Sequence, residues 1–392
     1  MILIKNGKIL TMEDTDYDKG YIVIKDGKIV DIGDMEYFDE ERYEISQLID
    51  AEGDYVLPGF IDAHCHVGMW EDSIGFEGDD GNEDTDPVTP HLRAIDAINP
   101  YDRSFREAME AGITTVVTGP GSANVIGGQF AAVKTYGRRI DDMILKEPVA
   151  MKVAFGENPK TVYHQKNQSP VTRMATAAIL RENLLKAREY KKKLEEYNKN
   201  PKEKDKPDFD IKMESLLKVL NREIPLKAHV HRADDIFTAL RIKKEFSIDI
   251  TLEHCTEGHL IADYLKEEAV PVMVGPSLSD RSKVELRNLT FKTPGILSRE
   301  GLSVAIITDH PVTPIQYLPL CAALAVREGM DEYEALKAIT INPANNTGIG
   351  DRVGSLKVGK DADIAIFNGN PLDFRTRTKY VLINGKITYK NA

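Results

Sequence analysis

The sequence predicts an α/β protein: a TIM-like (β/α)8 barrel over residues 58–347, beside a small β-sandwich domain built from residues 1–57 and 348–392. Three observations lead there. Through the middle of the chain, short and nearly continuous apolar runs alternate with helical stretches, as parallel strands buried on both faces do. The two ends share a different pattern of paired β-rich runs with Asn-Gly and Asp-Gly dipeptides between them. A length of 392 residues exceeds one small module and suits one large barrel with an appendage.

Taken in order, residues 2–10 and 21–33 read as strands, with Asn6-Gly7 and Asp26-Gly27 as hairpin signals. The signature returns at 363–367 and 380–383, and Asn384-Gly385-Lys386-Ile387 repeats Asn6-Gly7-Lys8-Ile9, so both ends are expected in one sheet domain. Between them, barrel strands are expected at 112–121, 148–158, 225–231, 248–255, 270–275 and 302–310. Helices are expected at 104–112, 171–199, 235–246 and 259–268. Residues 68–100 form a long acidic loop after the first barrel strand, on the face where barrel active sites lie, and read as a lid or pocket wall. Residues 181–210 are dense in Lys and Glu and read as a solvated helix with a connection. Gly127-Gly128-Gln129 reads either as a plain turn or as backbone allowing close approach to a ligand.

Composition narrows the function. A formal net charge of −12 argues against nucleic-acid binding, which needs a basic face, and makes small molecules the expected partners. The N-terminus lacks a signal-peptide pattern and no apolar run reaches membrane-spanning length, so no membrane partner is expected. Three cysteines, Cys65, Cys255 and Cys321, form no CxxC pair and fit a reducing, cytoplasmic setting. Assembly into a homo-oligomer stays open. No GxGxxG or GxxxxGK[ST] follows a strand, which leaves dinucleotide and P-loop readings without their fingerprint.

The chemistry-bearing residues sit at strand ends. His64 and His66 are two apart, so on a strand both imidazoles share one face. Glu157, His229, His254 and Asp309 close later strands in the same way. Nitrogen and carboxylate ligands converging on one rim are what a metal-dependent hydrolytic centre requires.

At this point VLPGFIDAHCH, the Ile339-Thr340-Ile341-Asn342-Pro343-Ala344 run and RVGSLKVGKDADIAIF together resemble the amidohydrolase superfamily, in particular its imidazolonepropionase-like branch. The resemblance implies a cytoplasmic hydrolase that cleaves a non-peptide C–N bond in a cyclic or linear amide. It implies one or two divalent ions, zinc first, with iron or manganese as alternatives. Carried over by residue, His64, His66 and Asp309 hold one ion and His229 and His254 the second. The family's usual bridge is a carboxylated lysine; Glu157 is taken as the bridge, because a carboxylate needs no modification, with Lys152 next in line. Asp309 is expected to move the catalytic proton and His231 to meet the substrate carbonyl or leaving group. Arg232 is expected on either an anionic substrate group or a surface carboxylate. The alternatives are a deaminase or metallo-dipeptidase of the same superfamily and, remotely, a non-catalytic structural relative. Against deamination, Asp234 and Asp235 follow His229 where deaminases carry a Glu.

Overall fold

The computed structural model describes residues 1–71 and 75–391. Both chain ends enter one sheet. Its strands are β1 (Ile2–Ile9), β2 (Tyr17–Lys25), β3 (Lys28–Asp34), β4 (Gln47–Asp50) and β5 (Tyr55–Pro58) from the front. From the back come strands at Ile364–Phe367, Thr378–Ile383 and Lys386–Lys390, numbered β14 to β16 below. The first half of β1 pairs with β4 and its second half with β5, so the sheet divides along that strand. β14 joins β5 antiparallel and ties the C-terminal strands to the N-terminal ones. The inner faces bury Ile4, Ile22, Val56, Ile364 and Ile366, the apolar half of each alternating strand.

The Asp26-Gly27 and Asn384-Gly385 turns join β2 to β3 and β15 to β16 as expected, and the two tips touch, Gly27 lying against the Asn384 carbonyl. Asn6-Gly7 departs from expectation. It is no turn: β1 runs through it, with register shifts on both sides of Gly7 and Asn6 in the left-handed region. Such a bulge uses the same residue types as a tight turn, so local sequence does not separate the two.

The second sheet is the barrel: β6 (Phe60–Cys65), β7 (Ile113–Thr118), β8 (Ile126–Lys134), β9 (Ile144–Ala154), β10 (Leu226–Val230), β11 (Ile250–His254), β12 (Val272–Val274) and β13 (Val304–Ile306), in consecutive order. Backbone bonds from Asp309 to His64 O and from His66 to His310 O close β13 onto β6. Ala63, Met273, Ala305 and Ile307 fill the interior there. One strand corrects the expected all-parallel pattern: β8 pairs antiparallel with both neighbours. Gly127-Gly128-Gln129 lies in that strand and is not a turn, and its glycines fit where Gly127 passes the Lys152 stem and Gly128 the Leu92 carbonyl.

The long helix spans Arg173–Lys199, with Thr172 Oγ1 accepting from Ala175 N at its start. Ala177, Leu180, Leu184 and Ala187, spaced by three or four, bury one face against the barrel while the Lys/Glu face meets solvent. Of the predicted lid, residues 72–74 lie outside the described residues. Among the described residues no helix is long and apolar enough to cross a membrane.

Candidate metal centre

The parallel strands end on one rim, and the expected ligands meet there in two adjoining groups. His64, His66 and Asp309 offer ligand atoms within 4.8 Å of one another, as do His229, His231 and His254. The His64 and His254 rings stand 5.1 Å apart and join the groups.

Hydrogen bonds behind each ring decide which nitrogen faces inward. His64 Nδ1 lies 2.7 Å from Glu253 Oε2, His66 Nδ1 2.6 Å from Gly119 O, and His254 Nδ1 2.8 Å from Gly275 O. Each oxygen accepts a hydrogen bond from Nδ1–H, which fixes the tautomer with its Nε2 lone pair towards the centre. His254 Nε2 and His229 Nδ1 are buried with no hydrogen-bond partner among the described residues. Two orphaned imidazole nitrogens carry a desolvation cost that a cation would remove, so the residues present fit a divalent ion. Burial pushes His64, His229 and His254 well below the ordinary imidazole pKa, with nearby Lys152 adding to it, and pushes His231 down to about 3. All are neutral and ready to coordinate at pH 7.

Asp309 Oδ1 stands 3.2 Å from His66 Nε2 and 3.5 Å from His64 Nε2. Burial alone would raise its pKa, but the adjacent His66 side chain and the Lys152 ammonium outweigh that and hold it below the usual carboxylate range. Its backbone is left-handed (φ 52°), as is that of His254 (φ 69°), costly conformations for residues with a Cβ that concentrate at functional sites.

Glu157 is not drawn into either group. It opens the helix Glu157–Gln165, its N–H bonded to Glu285 Oε2 and its carboxylate turned towards Glu285 N. Lys152, fully buried on β9, reaches the centre instead, with Nζ 3.1 Å from His64 Nε2. Its neighbour Lys227 is committed elsewhere, paired with Glu253 at 2.7 Å and bonded to Ala63 O. Lys152 has no such carboxylate partner among the described residues, and burial lowers its pKa to about 8. Arg232 pairs with Asp234, which resolves its two readings in favour of the surface carboxylate.

Three supporting residues had no sequence signal read for them. Asp62 accepts from His64 N, Thr308 N and Thr308 Oγ1, pinning β6 to the segment carrying Asp309. Glu253 orients His64. Glu285 Oε1, buried and without a hydrogen-bond partner among the described residues, lies 3.7 Å from His231 Nε2 and 3.9 Å from His229 Nε2. A cavity of about 900 Å³ opens over the centre, with His66, His229, His231 and Asp309 at its base and Trp70 and Phe76 of the long loop on its wall. That volume suits a small molecule.

The sequence pattern of the Amidohydrolase family matches residues 55–388. The chain belongs to that family. An amidohydrolase from Thermotoga maritima MSB8, known as a crystal structure, is 40% identical and superposes with a TM-score of 0.95 over all of both chains. Amidohydrolase tasK of Hapsidospora irregularis is 29% identical over 86% of this chain, and an adenine deaminase of Listeria welshimeri 24% identical over 100% of it. This amidohydrolase spans 37% and 58% of those two proteins' lengths. An imidazolonepropionase of Fusobacterium nucleatum is 24% identical, covering 100% of this chain and 99% of its own.

Proposed function

We propose that this amidohydrolase hydrolyses a non-peptide C–N bond of a small amide or lactam, using zinc held by His64, His66, His229, His254 and Asp309, with Lys152 as the bridge. The observation that carries this is the pair of unpartnered imidazole nitrogens, His229 Nδ1 and His254 Nε2, beside the His64–His66–Asp309 group. Nitrogen-rich donors with one carboxylate suit zinc better than magnesium or calcium. A bound divalent ion supplies Lewis-acid polarisation of a carbonyl and acidification of water. Asp309, ionised at neutral pH, accepts the proton of the attacking water and returns it to the leaving nitrogen. His231, its Nδ1 bonded to Thr256 Oγ1, presents Nε2 to the substrate carbonyl.

The bridge forms when neutral Lys152 Nζ adds to carbon dioxide and releases a proton, giving a carbamate anion. The lowered pKa supports this, since only the neutral amine is nucleophilic. A deaminase remains the second reading, favoured by the adenine deaminase relative. The buried, unpaired cysteines suit a reducing cytoplasm.

The deciding experiment is metal reconstitution of chelated protein with zinc, iron or manganese, with and without bicarbonate, for wild type, Lys152→Gln and Glu157→Gln. Two ions per chain, bicarbonate-dependent uptake and loss of one ion only in Lys152→Gln are expected. Loss of an ion in Glu157→Gln with full loading of Lys152→Gln would return the bridge to Glu157.

A further inference from the structure

Lys283 is the one lysine or arginine among the described residues lining the cavity over the metal centre. Among the described residues its Nζ has a single hydrogen-bond partner, the neutral Oδ1 of Asn158 at 2.5 Å, and no carboxylate within ion-pair distance. Elsewhere in this acidic chain lysines on the surface are paired repeatedly, as in Lys212–Asp86 and Lys379–Asp54. A half-buried ammonium left without a counterion in a concave site is an anion-binding feature waiting for its partner.

Its surroundings are arranged, too. Asn158 Nδ2 donates to Ser122 Oγ at 2.7 Å, so Ser122 and Lys283 from two loops and Asn158 from the first turn of the Glu157–Gln165 helix form one polar wall. The same Nδ2 lies 3.4 Å from His229 Nε2, which sets the ammonium one amide side chain away from the metal centre. The acidic lining groups are held apart from it: Asp309 by His66, Glu157 at the Glu285 backbone, Asp79 by Gly81 N, while Asp280 is exposed.

We propose that Lys283 anchors a carboxylate of the substrate, so that the substrate class is an amide bearing a carboxylate a few bonds from the scissile C–N bond, such as an N-acyl amino acid. This rests on the C–N hydrolase reading. A single ammonium whose only hydrogen-bond partner among the described residues is a neutral amide oxygen matches a single negative charge. Lys283 is then a specificity-determining residue, distinct from the groups that move protons or hold metal.

The test compares the zinc-loaded enzyme on N-acetyl-amino acids and on the matching carboxamides, which lack the charge. Wild type should favour the acids, and Lys283→Met should lower kcat/KM for them on the order of 10–100-fold, through KM, with a much smaller loss on the carboxamides. Lys283→Arg should restore most of the preference. Equal handling of acids and carboxamides by wild type, or equal losses for both in Lys283→Met, overturns the assignment while leaving C–N hydrolysis intact. Should no amide be cleaved, the hydrolase reading fails by itself, and binding decides the anchor. N-acetylglycine should then raise the wild-type unfolding midpoint and not that of Lys283→Met. A rise with inorganic phosphate alone, or with neither probe, overturns the carboxylate assignment.

Discussion

Asp309 concentrates the catalytic argument in one side chain. It lies three residues past β13, contacts both rings of the first-strand pair, and is ionised at neutral pH. Asparagine there keeps the size and a carbonyl oxygen for the metal, yet cannot take and return a proton. Asp309→Asn is expected to keep metal content and lose kcat on the order of 10²–10⁴-fold; near-normal kcat at full loading would reduce Asp309 to a ligand. The histidines make a separate prediction. In the folded protein burial keeps them neutral, whereas in the unfolded chain they protonate near pH 6.5. The unfolded state therefore binds more protons below that pH, and stability of the metal-free protein should fall as pH drops through 6.5. The ion assigned to His229 and His254 should stay bound in equilibrium dialysis between pH 7.5 and 6, because burial keeps both imidazoles neutral. A loss of metal centred near pH 6.5 would mean exposed, ordinary histidines.

Elements explain which of these residues sequence could reveal. His64, His66, His229 and Asp309 were legible because they end apolar runs, and a strand end on a barrel rim is a position that hydrophobic patterning reports. Glu253 was hidden by the same rule. Alternation sends neighbours to opposite faces, but left-handed backbone at His254 and Cys255 breaks it, and Glu253 and His254 both reach His64. Sequence favours Glu157 over Lys152 as the bridge for a related reason: a buried lysine in an apolar strand looks anomalous, while a carboxylate at a strand end looks like a ligand. The proposal for Lys152 rests on its three-dimensional neighbours, His64 above all. β8 escaped notice because its Gly-Gly pair mimics a turn. The seam between β6 and β13 has its own test in Asp62, whose carboxylate takes three donors in the interior. Asp62→Ala leaves Thr308 N and His64 N unsatisfied and should destabilise the protein by about 2–4 kcal/mol in denaturant titrations. A change below about 0.5 kcal/mol would mean that the barrel closes without this clamp.

At the scale of the whole molecule, we propose that residues 1–57 and 348–392 act as one domain against the 58–347 barrel. Their seam can be probed at Lys134. This side chain projects from β8 of the barrel and is 4% exposed. It pairs with Asp361 at 3.1 Å and with Asp363, both on the C-terminal segment entering β14. Lys28 and Arg352 add further bonds to Asp361, at 2.5 and 2.7 Å. Apolar contact flanks the ion cluster, with the Phe60 and Phe367 rings stacked 5.2 Å apart across the seam. Removing one partner of a buried pair strands the remaining charges, which costs more than the pair itself contributes. Lys134→Met should therefore destabilise the protein by about 3–5 kcal/mol. Burial alone would raise the Asp361 pKa, but Lys134, Lys28 and Arg352 overcome that and hold it below the usual carboxylate range. A depressed carboxyl contributes stability above its unfolded pKa, near 3.9, and loses it as pH falls through the lower folded value. Wild type should accordingly lose part of its stability below about pH 4, while Lys134→Met should show a weaker acid slope there. Differential scanning calorimetry checks both points. If the terminal sheet and barrel are coupled through this cluster, the mutant should also split one unfolding transition into two. A single unchanged transition with wild-type stability would show that the apolar seam alone joins the two parts.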